Sequence, residues 1–292
     1  MKFFRQLACI LALAGMTTLS LRAEETSPRL IAIGGPVTEI VYALGADKHL
    51  VATDTSSIYP TEATKLPQVG YQRNLSAEGV LSQKPTLVIA SVEAGPPPVV
   101  EQLKQSGVAW VSIPADFTVD GAKAKIRAVA SATKNDAKGE ILVQKLETDM
   151  TKARTFVDAE KSKPKVLFIY ARGGGTVNVA GQETAADAMI ALAGGVNAVK
   201  GYTGYKPITA EAVVAAAPDI ILIPVHGLQS IGGIDGLLAQ PGLAETPAGK
   251  ARQVVSMDDL LLLGFGPRLG EAVLELTQLV HGKKAETTAS NP

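Results

Sequence analysis

Few residues of this chain have both the type and the setting to do chemistry, and the densest group lies in residues 69–85. Tyr71 and Arg73 stand there in an irregular loop ahead of a short helix. Two residues apart in a loop, a guanidinium can point to the same side as a phenol and donate to its oxygen, or to an anion beside it. Taken alone, the pair reads either as a half-buried loop tyrosine with a cationic neighbour or as one wall of a site. The sequence has three histidines. His49 precedes a strand and His281 ends the last helix, so both are expected to face solvent, His281 at the negative end of the helix dipole. His226 is placed differently: it follows the apolar run 220–224, at the carboxyl end where α/β sheets hold ligands. Arg172 stands just past another such run, 166–170.

Other chemistries find no support. No Gly-x-Ser-x-Gly nucleophile and no His-Glu metal motif occurs. The one cysteine, Cys9, lies in the N-terminal apolar stretch, so the mature chain is expected to have neither a disulfide nor a thiolate metal site. The loops at Gly34-Gly35 and Gly173 to Gly175 do not match the dinucleotide fingerprint. They let backbone approach a ligand closely. Lysine and arginine total 28 against 28 acidic residues, with no basic stripe, so nucleic acid is not an expected partner.

The surrounding elements are legible from apolar spacing. Residues 1–23 read as a secretory signal peptide. Lys2 and Arg5 precede an apolar run too short to span a bilayer, and Ala23 offers a small residue for cleavage. A lipid-anchor reading fails because Cys9 precedes most of that run. Residues 24–134 alternate strands and helices, which predicts a parallel sheet covered on both faces. In residues 135–163, Leu142, Leu146, Met150, Ala153 and Val157 recur at helical spacing among charges. That predicts one amphipathic rod, ~40 Å long at ~1.5 Å per residue. Residues 164–282 return to α/β alternation, and 283–292 form a polar tail expected to be disordered. The fold class is therefore α/β: two Rossmann-like lobes with central parallel sheets, joined by one long α-helix, with the ligand cleft between them.

The chain also repeats itself. Residues 75–89 can be laid on 208–222: each has a hydroxyl residue, Ala, Glu, two apolar residues, then Pro and a buried strand. Gly70-Tyr71 upstream matches Gly204-Tyr205, so Tyr205 mirrors Tyr71 and Glu78 mirrors Glu211. A duplicated unit on either side of a long helix predicts two like lobes facing one another.

Several stretches resemble a known family, the helix-linked class of ABC-transporter substrate-binding proteins, and within it the periplasmic haem-binding members. They are Val69-Gly-Tyr-Gln-Arg-Asn-Leu-Ser-Ala-Glu-Gly79, Thr184-Ala-Ala-Asp-Ala-Met-Ile190, Gly232-Gly-Ile-Asp-Gly-Leu-Leu238, Thr246-Pro-Ala-Gly-Lys250 and Leu263-Gly-Phe-Gly-Pro-Arg268. The resemblance covers essentially the whole mature chain. It implies a periplasmic carrier of haem b that does no chemistry and hands its cargo to a permease dimer. It also implies an ATPase on the cytoplasmic side of that permease and an outer-membrane haem receptor upstream. By resemblance, Tyr71 ligates ferric haem iron, a hard centre suited to phenolate oxygen, and Arg73 serves the phenolate or a propionate. Arg172 reads either as a propionate contact or as an exposed rim arginine, and Tyr205 either as the opposite wall or as an ordinary packing residue. His226 is left with three readings: an iron ligand opposite Tyr71, a propionate contact, or a loop cap. Glu78 and Glu211, one per lobe, are placed to meet arginines on the permease. The runner-up is a ferric-siderophore or cobalamin carrier of the same fold. A secreted α/β enzyme is the rival of another class.

Overall fold

The computed structural model describes residues 28–173, 177–207 and 209–282. The signal-peptide and tail expectations, and most of the second glycine loop, lie outside the described residues. No helix among the described residues is long and apolar enough to cross a membrane.

The first half runs β1 (Leu30–Ile33), α1 (Gly35–Ala43), β2 (Leu50–Thr53), β3 (Gly70–Tyr71), β4 (Asn74–Leu75), α2 (Ala77–Leu81), β5 (Leu87–Ser91), α3 (Pro97–Gln105), β6 (Ala109–Ile113) and α4 (Val119–Ala132). Four of its strands form one parallel sheet in the order β2-β1-β5-β6. Its central strands β1 and β5 are continuous apolar runs because helices cover both faces. Then comes α5 (Asp136–Ala159), of 24 residues. It packs on α4 and on the last helix, burying Val143, Leu146, Met150 and Ala153. Leu142 and Val157 of the expected stripe are only partly buried, and Val143 takes the deeper position.

The second half runs β7 (Lys165–Tyr170), β8 (Asn178–Ala180), α6 (Ala185–Leu192), β9 (Val196–Asn197), β10 (Tyr205–Pro207), α7 (Ala210–Ala216), β11 (Ile220–Pro224), α8 (Val225–Ser230), α9 (Gly233–Leu238), α10 (Pro247–Lys250), β12 (Val254–Met257), α11 (Asp259–Leu263) and α12 (Leu269–Val280). Its sheet order is β10-β8-β7-β11-β12, with β9 also on β7. This sheet is mixed rather than wholly parallel. Strands β8 and β10 run antiparallel to their neighbours, because the connection from β7 to β8 is too short for a crossover helix. Helix α12 approaches α5 closely at Gly270, where a Cβ would lie 2.5 Å from that of Asp149.

The repeat is visible in local geometry. Ser76 caps α2 by accepting from the Gly79 amide, and Thr209 caps α7 by accepting from the Ala212 amide. His281 departs from expectation. It does cap α12, but its side chain is only 1 % exposed. Its ring lies between the Ala193 carbonyl, 3.3 Å from Nε2, and the Ser162 hydroxyl, 3.4 Å from Nδ1. The end of α12 folds under α6 instead of projecting into solvent.

Candidate ligand-binding site

A cleft of about 1000 Å³ opens between the carboxyl-terminal edges of the two sheets. The segments that follow β1, β5, β6, β7, β11 and β12 all contribute to its lining. Residues beyond strand carboxyl ends are the usual ligand contacts of α/β folds. Gly34 fixes one edge. It caps α1 at φ 106°, and a Cβ there would sit 3.1 Å from Gln72 Oε1. Fully buried Asp54 holds this turn by accepting from the Gly34 and Ser56 amides at 2.8 and 2.9 Å and from the Ser56 and Ser57 hydroxyls at 2.7 and 2.8 Å.

All five residues singled out in sequence as ligand contacts line this cleft: Tyr71, Arg73, Arg172, Tyr205 and His226. Tyr71 and Arg73 lie on and beside the β3–β4 turn. Arg73 Nη1 donates to the Tyr71 hydroxyl oxygen at 2.6 Å, and its Nη2 pairs with Glu93 at 2.7 Å. Partial burial works against the Arg73 charge, but Glu93 and Tyr71 hold its pKa above the ordinary value. From the other lobe, Arg172 lies 5.6 Å from the Tyr71 ring centre and 5.4 Å from that of Tyr170. One phenol is thus bonded at its oxygen by Arg73 and approached over its ring by Arg172, and a phenol oxygen so placed is a donor suited to a hard metal centre.

Comparison with known proteins then decides the family. Residues 30–261 match the periplasmic binding protein family. This chain belongs to that family. Apo RhuT from Roseiflexus sp. RS-1, a periplasmic haem-binding protein, superposes with a TM-score of 0.86 at 45% identity, covering 88% of this chain and 99% of its own. BhuT, a periplasmic haem-binding protein in complex with two haems, superposes at 0.83 and 47% identity, covering 87% and 98%. YvrC of Bacillus subtilis (strain 168), described as an uncharacterized ABC transporter substrate-binding lipoprotein, is 29% identical over 84% of this chain and 77% of its own.

In this periplasmic binding protein the second lobe's wall is aromatic. Tyr205 packs edge-on to Phe168, with ring centres 6.1 Å apart, and tilted on Tyr170 at 5.8 Å. Burial pushes its hydroxyl pKa up, with hydrogen bonds at Ala186 and Thr184 opposing. The ring is 41 % exposed to the cleft, but its hydroxyl bonds Ala186 and Thr184 where that of Tyr71 bonds a guanidinium, so the two tyrosines are not chemical mirrors. His226 Nδ1 lies 2.9 Å from Asp259 Oδ2, and the ring is well exposed at the rim. Asp259 thus engages Nδ1 and leaves Nε2 as the ring nitrogen without a hydrogen-bond partner among the described residues. Glu78 and Glu211 lie away from the cleft, exposed in the first turns of α2 and α7. Hydrogen bonds from the backbone amide and Thr209 hold the Glu211 carboxyl below its ordinary pKa.

The walls are also fastened to each other at the floor. Arg268, ahead of α12, makes a two-pronged bond to Glu39 of α1, at 2.7 and 3.2 Å, and covers the Tyr59 ring at 3.8 Å. Phe117 and Phe265 meet at 5.6 Å. Lys125 of α4 donates to the carbonyls of Gly264 and Phe265 at 2.9 and 3.2 Å. Sequence reading missed Tyr170, Glu93 and Asp259, although each stands at or just beyond a strand's carboxyl end, where the rule that picked out His226 would have found them. Lys125 carried no such signal, being one of two lysines on an amphipathic helix.

Proposed function

We propose that this periplasmic binding protein carries haem b across the periplasm, after removal of its signal peptide, and delivers it to an ABC permease whose ATPase lies on the cytoplasmic side. An outer-membrane haem receptor is the matching upstream source. No chemistry is done on the cargo. The observation that carries the reading is the Tyr71 hydroxyl, aimed into a cleft large enough for a porphyrin and bonded by Arg73 beneath Arg172. RhuT and BhuT, both described as haem-binding, support it. Titrating purified protein with hemin tests it: a Soret band shift with a phenolate-to-iron charge-transfer band is expected, and the endpoint counts the haems held. Binding of a ferric siderophore or cobalamin in place of hemin would replace this reading with the runner-up.

His226 is assigned to the surroundings of the iron rather than to its coordination. His226→Ala is expected to leave the spin state of the ferric complex unchanged. Conversion from low to high spin would instead make its Nε2 a sixth ligand.

Glu78 and Glu211 are assigned to permease docking. They occupy matching positions in the two halves, and no hydrogen bond or ion pair to a cationic side chain is formed by either carboxylate among the described residues. Rim charges of this kind steer encounter and set register, and contribute little to folding. The double variant Glu78→Ala/Glu211→Ala is expected to bind hemin normally and to melt with wild type, yet to transport poorly in reconstituted vesicles. The loss should exceed that of either single variant and shrink as salt rises. Normal transport by the double variant would leave both carboxylates as helix-end electrostatics.

A further inference from the structure

Lys125 is the anomaly of the cleft. It is 4 % exposed, yet it lines the cavity floor. Its two hydrogen bonds go to neutral carbonyls, those of Gly264 and Phe265. An ammonium has three N–H donors, so one remains. The acids that face it are Glu93 beyond β5, Asp116 ahead of α4 and Glu39 on α1. None forms an ion pair with it, and Glu93 and Glu39 are already paired with Arg73 and Arg268. Burial holds the Lys125 pKa down at about 8, against the pull of those three acids.

A buried charge is ordinarily matched by an opposite one. Arg172 is the second cation of the cleft without a carboxylate partner among the described residues, lying instead on two phenol rings. The cleft thus offers two cations without carboxylates of their own, one on the second lobe's wall and one at the floor. The cargo proposed above brings two carboxylates.

We propose that Lys125 is a carboxylate anchor at the floor of the cleft, taking one propionate of the bound tetrapyrrole through its remaining N–H, while Arg172 takes the other. This rests on the haem reading. It makes Lys125 a determinant of specificity for acidic tetrapyrroles over neutral ones. It also couples binding to protonation, because a carboxylate set against the ammonium raises its pKa.

The test compares hemin with hemin dimethyl ester, both in the same mild detergent. The two share iron and ring and differ only in their carboxylates. Lys125→Met keeps the stem and removes the charge. It is expected to weaken hemin binding by roughly ten- to hundredfold and ester binding little. An equal loss for both ligands would mean that Lys125 is only a strut between the lobes, and would overturn the proposal. A second measurement needs no variant. Near pH 8, wild type is expected to take up about half a proton more with hemin than with the ester, by calorimetry in buffers of different ionisation enthalpy. The difference should vanish at mildly acidic pH, where the lysine is already charged. No difference near pH 8 would also overturn it. Failure of wild type to bind either ligand would instead sink the haem reading itself.

Discussion

Tyr71→Phe is expected to abolish the phenolate-to-iron charge-transfer band and to weaken hemin binding by at least about 100-fold. The ring survives in this variant, so Arg172 keeps its stacking surface and the cleft keeps its shape. Only the oxygen is lost, and with it the donor that Arg73 holds at 2.6 Å. Groups outside the coordination sphere typically change metal affinity by ~10–100-fold, and removal of the ligand itself should cost at least as much. Arg73→Ala belongs to the outer class. It should keep the band and bind within that smaller range, while also freeing Glu93. The order of the two variants is the informative result. A Tyr71→Phe protein with an unchanged spectrum would show that the iron is held elsewhere.

Arg268→Met is expected to destabilise the protein by about 3–5 kcal/mol, read as a lower denaturant midpoint with a similar slope. Glu39 is 5 % exposed, and Arg268 is its bonded cation. The two partners shift in senses that describe the pair differently. Burial pushes the Glu39 carboxyl up despite Arg268, whereas Arg268 itself is held up by Glu39 against burial. Arginine stays charged under either description, so removing it leaves a buried carboxylate with no cation bonded to it. The double variant Glu39→Leu/Arg268→Met should recover much of the loss, because neither charge then remains to be desolvated. If the single and double variants melt alike, the pair is not what holds the floor together.

The fold was legible where burial imposes a period. Residues 30–33 and 87–91 read as strands because both their faces are covered, and α5 read as a helix because one stripe of it is. The antiparallel β8 and β10 were not legible. They are three residues each, and β10 is exposed along its length, so no alternation marks them. In the site, Tyr71 and Arg73 were found because they are near neighbours in sequence as well as in space. Glu93, which pairs with Arg73, and Asp259, which pairs with His226, stand just beyond the carboxyl ends of β5 and β12; position marks them as facing the cleft, but which side chain each pairs with is set across the fold and leaves no local pattern. His281 was misread for the converse reason. Its place after the last helix suggested solvent, but burial at a helix end depends on what docks there.

The fastened floor bears on how such a carrier is recognised. Glu39, Lys125 and Phe117 on one side are joined to Arg268, Gly264 and Phe265 on the other, while α5 braces both halves along its length. With the base of the cleft tied, the expected result is that cargo alters chiefly the mouth, leaving the outer faces that carry Glu78 and Glu211 at nearly the same spacing. If those faces are the docking sites proposed above, an importer would gain little discrimination from them. Vacant carriers would then compete with loaded ones for the same landing sites, and surplus carrier added to reconstituted vesicles at fixed hemin is expected to slow uptake.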